Sequence, residues 1–245
     1  MNAVRVGVRA FRPLCFATIL LLITAPAAQA QSVASLFLTL PTDFGHLFTS
    51  TNGIIVGAGG AGSAAIHPKD DEIASDVYQP EGGRHDFFHP GAVVGDGTTQ
   101  AALALGAYIA GRATRNDRLG KLGADLVDAQ IVNGVLTQGL KFAVDRRRPT
   151  GSSHSFPSGH TSATFATAGV IQEHLGWKAA APVYAVGAYV SVSRMVDNQH
   201  WASDVIFGAA IGLVSGRAAS FGHGAQRVSI APSLLPRGVG IFGSF

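Results

Sequence analysis

Cysteine is almost absent from this sequence. Only Cys15 occurs, inside an N-terminal leader, so the chain beyond residue 30 has no thiol to act as a nucleophile, close a disulfide or build a cysteine metal site. Charge is also sparse, at 13% of residues. Strand-like alternation is scarce from Gly91 onward, which argues against a β core there. Long unbroken apolar runs are missing too. The uncharged stretches between Asp96 and Arg112 and between Lys178 and Arg194 fall short of the roughly 20 residues a spanning helix needs. The stretch from Phe44 to Pro68 is longer, but it is rich in Gly and Ser and carries His46 and His67. These segments read as tightly packed helices of a soluble bundle, with peripheral membrane contact as the competing expectation.

The leader spans residues 1–30. Arg5, Arg9 and Arg12 precede an apolar run from Leu14 to Ala25, and Ala28-Gln29-Ala30 follows. That is the basic start, short apolar middle and small cleavage residues of a secretory signal peptide, with the cut expected after Ala30. A retained anchor is the rival reading, although its run is short for a span. The chain carries 18 Lys+Arg and 15 Asp+Glu. Three of the basic residues are these arginines and the leader has no acid, which leaves 15 of each sign and no ground for nucleic-acid binding. Export predicts a periplasmic protein.

The organisation predicted for the remainder is an N-terminal helical and loop segment (31–90) packing on the core, a helical core (91–222) and a tail (223–245). Helices are expected over Thr98–Ala113, Leu119–Val144, Thr161–Leu175, Ala179–Val192 and Ser203–Ala218, where small and large apolar residues mix with few breakers. Gly53–Ile66 reads as a glycine-rich helix that lets a neighbour approach closely. Pro182 suits the first turn of its helix. The fold class is therefore all-α, a helical bundle, and the alternating, glycine-bearing tail suggests an extended segment or one short hairpin.

Three short blocks carry the chemistry. They are Lys141-x6-Arg148-Pro149, then Pro157-Ser158-Gly159-His160, then Ser193-Arg194-x5-His200-x3-Asp204. Lys141 and Arg148 are two helical turns apart and are predicted on one helix face, with Pro149 ending that helix. Ser158 suits an N-cap, and Gly159 allows an anion to approach the free N–H groups of a helix start. His160 would stand beside that anion. His200 and Asp204, four apart on a helix, share a face, so the carboxylate can fix the imidazole tautomer. Each block alone has an ordinary reading: a solvated charge run, a plain helix cap, a surface His–Asp pair. Together, three cations, two imidazoles and a carboxylate are the parts needed to hold a phosphoryl group and attack it through nitrogen.

In order and internal spacing the blocks resemble the signature of the type 2 phosphatidic acid phosphatase superfamily, which includes bacterial class A acid phosphatases and vanadium-dependent haloperoxidases. The resemblance covers roughly Leu119–Leu213. It implies that Lys141, Arg148 and Arg194 bind phosphate with Ser158 and the Gly159 amide. It also implies His200 as nucleophile, Asp204 as its orienting partner and His160 as the acid that protonates the leaving alkoxide and then activates water. A metal-independent phosphatase acting on soluble or lipid monoesters is the leading expectation, with no cofactor and with oligomeric state left open. A vanadate-dependent haloperoxidase and a non-catalytic phosphate-binding envelope protein are the alternatives. The remaining histidines, His46, His67, His85, His89, His154, His174 and His223, receive no role, although His154 could border the pocket. No pair among them is expected to find a third metal ligand nearby. The apolar Phe44–Ile66 region is a candidate for holding a lipid tail or for filling core.

Overall fold

The computed structural model describes residues 38–221, 231–235 and 238–242. The leader, its cleavage point and His223 lie outside the described residues. In chain order the helices are α1 (Leu40–His46), α2 (Ser50–Ile66), α3 (Asp70–Val77), α4 (Gly83–Phe88), α5 (Gly91–Val94), α6 (Gly97–Ala113), α7 (Asp117–Val144), α8 (Gly159–Leu175), α9 (Trp177–Val196) and α10 (Ala202–Ala219). A 3-10 turn, His67–Lys69, joins α2 to α3. Strands β1 (Ala231–Leu235) and β2 (Gly238–Phe242) pair antiparallel, from Ala231 opposite Phe242 to Leu235 opposite Gly238.

Polar side chains start the long helices by satisfying N–H groups that have no intrahelical acceptor. Asp96 accepts from the amides of Thr98 and Thr99 ahead of α6, Asn116 from Leu119 ahead of α7, and Ser158 from Thr161 ahead of α8. Asp145 ends α7 in the left-handed region, at φ 43°. Gly176, at φ 82°, closes α8 and opens α9, so α9 begins two residues before the predicted Ala179. Pro182 therefore lies inside α9 rather than in its first turn. The other four long helices lie within about two residues of their predicted ends, and α2 contains the predicted glycine-rich helix.

α8 lies against α7, α9 and α10, while α6 packs on α7 and α2 on α10. The crossing of α8 and α10 is close because α10 presents glycines to the backbone of α8. A Cβ on Gly212 would lie 2.2 Å from the Ser162 carbonyl oxygen, and one on Gly216 would lie 2.3 Å from that of Ala166. α2 uses the same device: a Cβ on Gly59 would meet the Cβ of Ala210 at 2.3 Å. The apolar core sits where α6, α7, α8 and α10 meet, around Ala104, Leu122, Leu126, Ala129, Ala166, Val170 and Ala219. Among the described residues one helix, Ala202–Ala219, is long and apolar enough to cross a membrane, and 72% of it is buried inside the protein. This frame brings the last turn of α7, the start of α8, the end of α9 and the start of α10 together.

Candidate active site

Lys141 is buried in the last turn of α7, where its Nζ donates to the carbonyls of His154 at 2.7 Å and Ser155 at 3.4 Å. Arg148 does not continue that helix as expected, because the left-handed Asp145 turns the chain out of α7 three residues earlier. It sits instead on the following loop, held by Nη1 to Gln199 Oε1 at 3.0 Å and by Nε to the Ser153 carbonyl at 3.3 Å. Gln199 was not foreseen. Ser158 is fully buried and its Oγ accepts from the Thr161 amide at 3.5 Å, so its side chain caps α8 and does not line the cavity. Gly159 and His160 open α8 and do line it. Their amides occupy the first two helical positions, which have no intrahelical acceptor.

Arg194 comes from the last turn of α9. One terminal nitrogen donates to Ser193 Oγ at 3.0 Å and pairs with Asp197, while its buried Nε has no hydrogen-bond partner in the protein. His200 is likewise buried, but it precedes α10 rather than sharing a helix with Asp204, which occupies the third position of α10. The Asp204 carboxylate folds back onto the Trp201 amide at 2.9 Å. His200 Nδ1 lies 3.6 Å from Asp204 Oδ2, just beyond a formed hydrogen bond.

Asp204 is occupied by groups that sequence reasoning missed. Arg146 Nη1 donates to its Oδ1 at 2.7 Å and Ser155 Oγ to its Oδ2 at 2.5 Å. Through its other terminal nitrogen, Arg146 reaches Asp70 Oδ2 at 2.8 Å, and Asp70 accepts in turn from the backbone and hydroxyl of Ser203. A charge run that reads as solvent-facing thus supplies the guanidinium that neutralises two buried carboxylates. The signal available was only the density of arginine beside Arg148. Its acidic partners are 76 and 58 residues away in the chain.

Lys141, Arg148, His160, Arg194 and His200 line one cavity of about 660 Å³. Part of its wall is apolar, formed by Ala101 and Leu105 of α6 and Val127 and Ile131 of α7. The Phe44–Ile66 region does not reach it, because α1 and α2 pack against α10 instead. Burial, reinforced by Arg148, lowers Lys141 to about 8. Burial and then the Arg194 charge lower His160 to about 4, although Asp96 Oδ2 stands 3.9 Å from its Nε2 and acts in the opposite sense. Burial lowers His200 to about 4 against the pull of Asp204. Burial alone would raise Asp204, but its imidazole, hydroxyl and amide neighbours hold it below the ordinary carboxylate value. Both imidazoles are therefore neutral near pH 7, and among the described residues the carboxylate that pairs with one of the three cations is Asp197, on Arg194.

The remaining described histidines fall outside the cavity. The His154 carbonyl receives Lys141, but its ring stacks edge-on with Phe142. His174 is buried 2.7 Å from Asp125, His67 lies 3.0 Å from Asp70, and His46 stacks on Phe221. His85 and His89, expected to lack a third ligand, both face Asp197.

Residues 123–226 match the family model described as PAP2 superfamily. Over 101 residues the chain is 39% identical to a lipid A 1-phosphatase of Porphyromonas gingivalis, a match covering 39% of this chain and 22% of that relative. The crystal structure of Aquifex aeolicus LpxE superposes with a TM-score of 0.52 at 22% identity, covering 61% of this chain and 93% of the other. The crystal structure of a transmembrane PAP2-type phosphatidylglycerolphosphate phosphatase from Bacillus subtilis gives a TM-score of 0.52 at 21% identity, covering 76% and 93%. At these identities the two structures establish the shared helical fold.

Proposed function

We propose, on the premise that residues 123–226 are a PAP2 superfamily domain, that this protein is a phosphatase hydrolysing a lipid phosphate monoester through a phosphohistidine. One observation carries the reading: a single cavity joins three cations and two imidazoles to an apolar wall. The cations suit a phosphate headgroup, and the wall between α6 and α7 suits the hydrocarbon next to it.

Lys141, Arg148, Arg194 and the amides at the start of α8 hold the non-bridging oxygens and offset charge as it develops, so the step is supplied with electrostatic stabilisation by protein groups. His200, neutral because it is buried, attacks phosphorus through Nε2 as the bond to the leaving alkoxide breaks. His160 delivers its proton to that oxygen. Burial and then the Arg194 charge depress His160, and the negative charge of the bound phosphate acts in the opposite sense, favouring the protonated ring that serves as the acid. Water, deprotonated by the now neutral His160, then displaces the His200 nitrogen and inorganic phosphate leaves. Asp204 receives the Nδ1–H as the imidazole gains positive charge, which closes the 3.6 Å gap. With the leader removed after Ala30, the reaction takes place in the periplasm.

The test is phosphate release in EDTA from phosphatidic acid, lipid A and p-nitrophenyl phosphate, with and without detergent. We expect turnover in chelator, a preference for the lipids of at least about tenfold in kcat/KM, and loss of roughly 10³-fold or more in His200→Ala. A labelled phosphoryl group should survive an alkaline quench on the wild-type chain only. An active His200→Ala protein, or turnover that needs added metal, would overturn the mechanism. A preference for the soluble ester would overturn the lipid assignment.

A further inference from the structure

A second cluster of chemistry-bearing side chains lies behind Arg194. His85 of α4 and His89, the residue that caps it, are four apart and so share one face. Their rings stack with centroids 4.9 Å apart. Both turn a nitrogen toward the same atom of Asp197, the residue that ends α9: His85 Nε2 and His89 Nδ1 each lie 3.7 Å from Asp197 Oδ1. The three ligand atoms all lie within 4.8 Å of one another.

From these positions we infer that His85, His89 and Asp197 form a binding site for a divalent transition-metal ion of the zinc class, separate from the phosphate cavity. Two imidazoles and a carboxylate are the donor set such ions take. Bonds of about 2.0–2.1 Å to a tetrahedral ion put neighbouring ligand atoms roughly 3.3–3.4 Å apart, so the two 3.7 Å separations from Asp197 need only a small contraction, while the two histidine nitrogens, within 4.8 Å of each other, close in by a turn of the exposed His89 ring.

Three further observations point the same way. Asp197 Oδ1 is buried and has no hydrogen-bond partner, which is costly unless something else takes its lone pairs. Its other oxygen pairs with Arg194, so an ion on Oδ1 leaves that pair intact. On the far side of the His85 ring, Nδ1 faces Asp86 Oδ1 at 3.5 Å, the outer carboxylate that orients a ligating histidine and leaves Nε2 free for the metal.

The cluster is also held in place by its surroundings. The Tyr189 hydroxyl of α9 donates to the Phe87 carbonyl in α4. Gly91 lets α5 seat on α9, since a Cβ there would come within 2.6 Å of Ser193 Cβ. The Gln79 amide donates to the Val196 carbonyl at 3.3 Å. The histidine pair is thus fixed over Asp197, with the exposed edge of His89 open to solvent and to the ion's remaining ligands.

The site is tested by stripping the full chain with chelator and titrating Zn²⁺ against a chromophoric indicator, with Co²⁺ absorption as a second readout. We expect one equivalent per chain and visible Co²⁺ bands of a low-coordinate nitrogen and oxygen site. Affinity in His89→Ala should fall by more than the 10–100-fold that loss of an outer partner costs. The His46→Ala protein should bind like wild type, and circular dichroism checks that every variant is folded. Absence of stoichiometric uptake by the wild-type chain, or equal uptake by a folded His85→Ala/His89→Ala protein, would overturn the site. Neither result bears on the phosphatase reading, which is assayed by phosphate release in chelator.

Discussion

Two basic residues, Lys141 and Arg146, show how differently a positive charge can be used within a few positions. Lys141 faces the cavity with only carbonyls beside it, and its value of about 8 means it loses its proton as pH rises through that point. Phosphate binding should weaken accordingly, with KM rising above pH 8 while kcat changes less. A Lys141→Arg protein, if active, should keep a flat KM to higher pH, as steady-state kinetics between pH 6 and 10 would reveal. Arg146 makes no contact with the cavity and instead spans Asp70 and Asp204, which are 4% and 0% exposed. Removing one partner of a buried pair costs about 3–5 kcal/mol, so Arg146→Ala should lose about that much stability in urea denaturation at pH 7. Both carboxylates have folded values below 3.8. The stability they confer is therefore present above 3.8 and lost as pH falls through the lower folded values, and the variant's deficit should shrink only there. The residues that meet in the cavity were legible because their spacing along the chain survives as spacing at helix ends. Arg146 was not, because its role is set by partners that only the tertiary fold brings to it.

At the scale of the element, helix existence was written plainly in runs of small and large apolar residues free of breakers, and caps such as Asp96, Asn116 and Ser158 set where helices start. Proline was a poorer guide. Pro149 suggested that α7 carries Arg148, but Asp145 ends the helix first, and Pro182 falls within α9 because Gly176 starts that helix early. The first outcome rests on a positive φ at Asp145, which a non-glycine residue rarely adopts, whereas the second rests on Gly176, whose positive φ is an ordinary option for glycine and a helix-stop signal the sequence did carry. The glycines of α10 carry a sharper test. In an isolated helix Gly→Ala gains up to about 1 kcal/mol, yet Gly212 has the Ser162 carbonyl oxygen only 2.2 Å from where a methyl would sit. That oxygen belongs to backbone, so α8 and α10 must separate. Overpacking of this kind costs roughly 1–3 kcal/mol, which outweighs the propensity gain. Gly212→Ala should therefore lower the melting temperature. It should also reduce activity, because the Ser158 amide donates to the Asp204 carbonyl across this crossing at 3.0 Å. Gly57→Ala, inside α2 with open space at its Cβ, should raise the melting temperature slightly and leave activity unchanged.

For the whole molecule, the question is where the reaction meets its substrate. The outward faces of α2, α6 and α9 carry Ile54, Leu103, Leu105 and Val186 exposed, and residues 50–66, 97–111 and 179–193 contain no Asp, Glu, Lys or Arg. Helices of a bundle bathed only in water ordinarily place charge on the face turned from the core, and these three do not. Leu105 links this surface to the chemistry, because it is 47% exposed and yet lines the cavity beside the cations. A hydrocarbon chain could then run from the phosphate site along α6 to an apolar environment outside without crossing a charged rim. Contact with a lipid surface gains about 25 cal/mol for each Å² of apolar area taken from water, a benefit that polar solvation of these faces cannot match. A chain starting at Gln31, as cleavage at the predicted site would leave it, should consequently enter the detergent-rich phase when a Triton X-114 solution is warmed to separation. Placing a carboxylate on the open face of α6 with Leu103→Glu, where the side chain is 63% exposed, should shift the protein toward the aqueous phase. That variant should hydrolyse p-nitrophenyl phosphate at the wild-type rate while losing activity on vesicle-borne phosphatidic acid. A wild-type protein that stays aqueous, or a Leu103→Glu protein equally active on vesicles and on the soluble ester, would show that these faces serve packing or self-association instead.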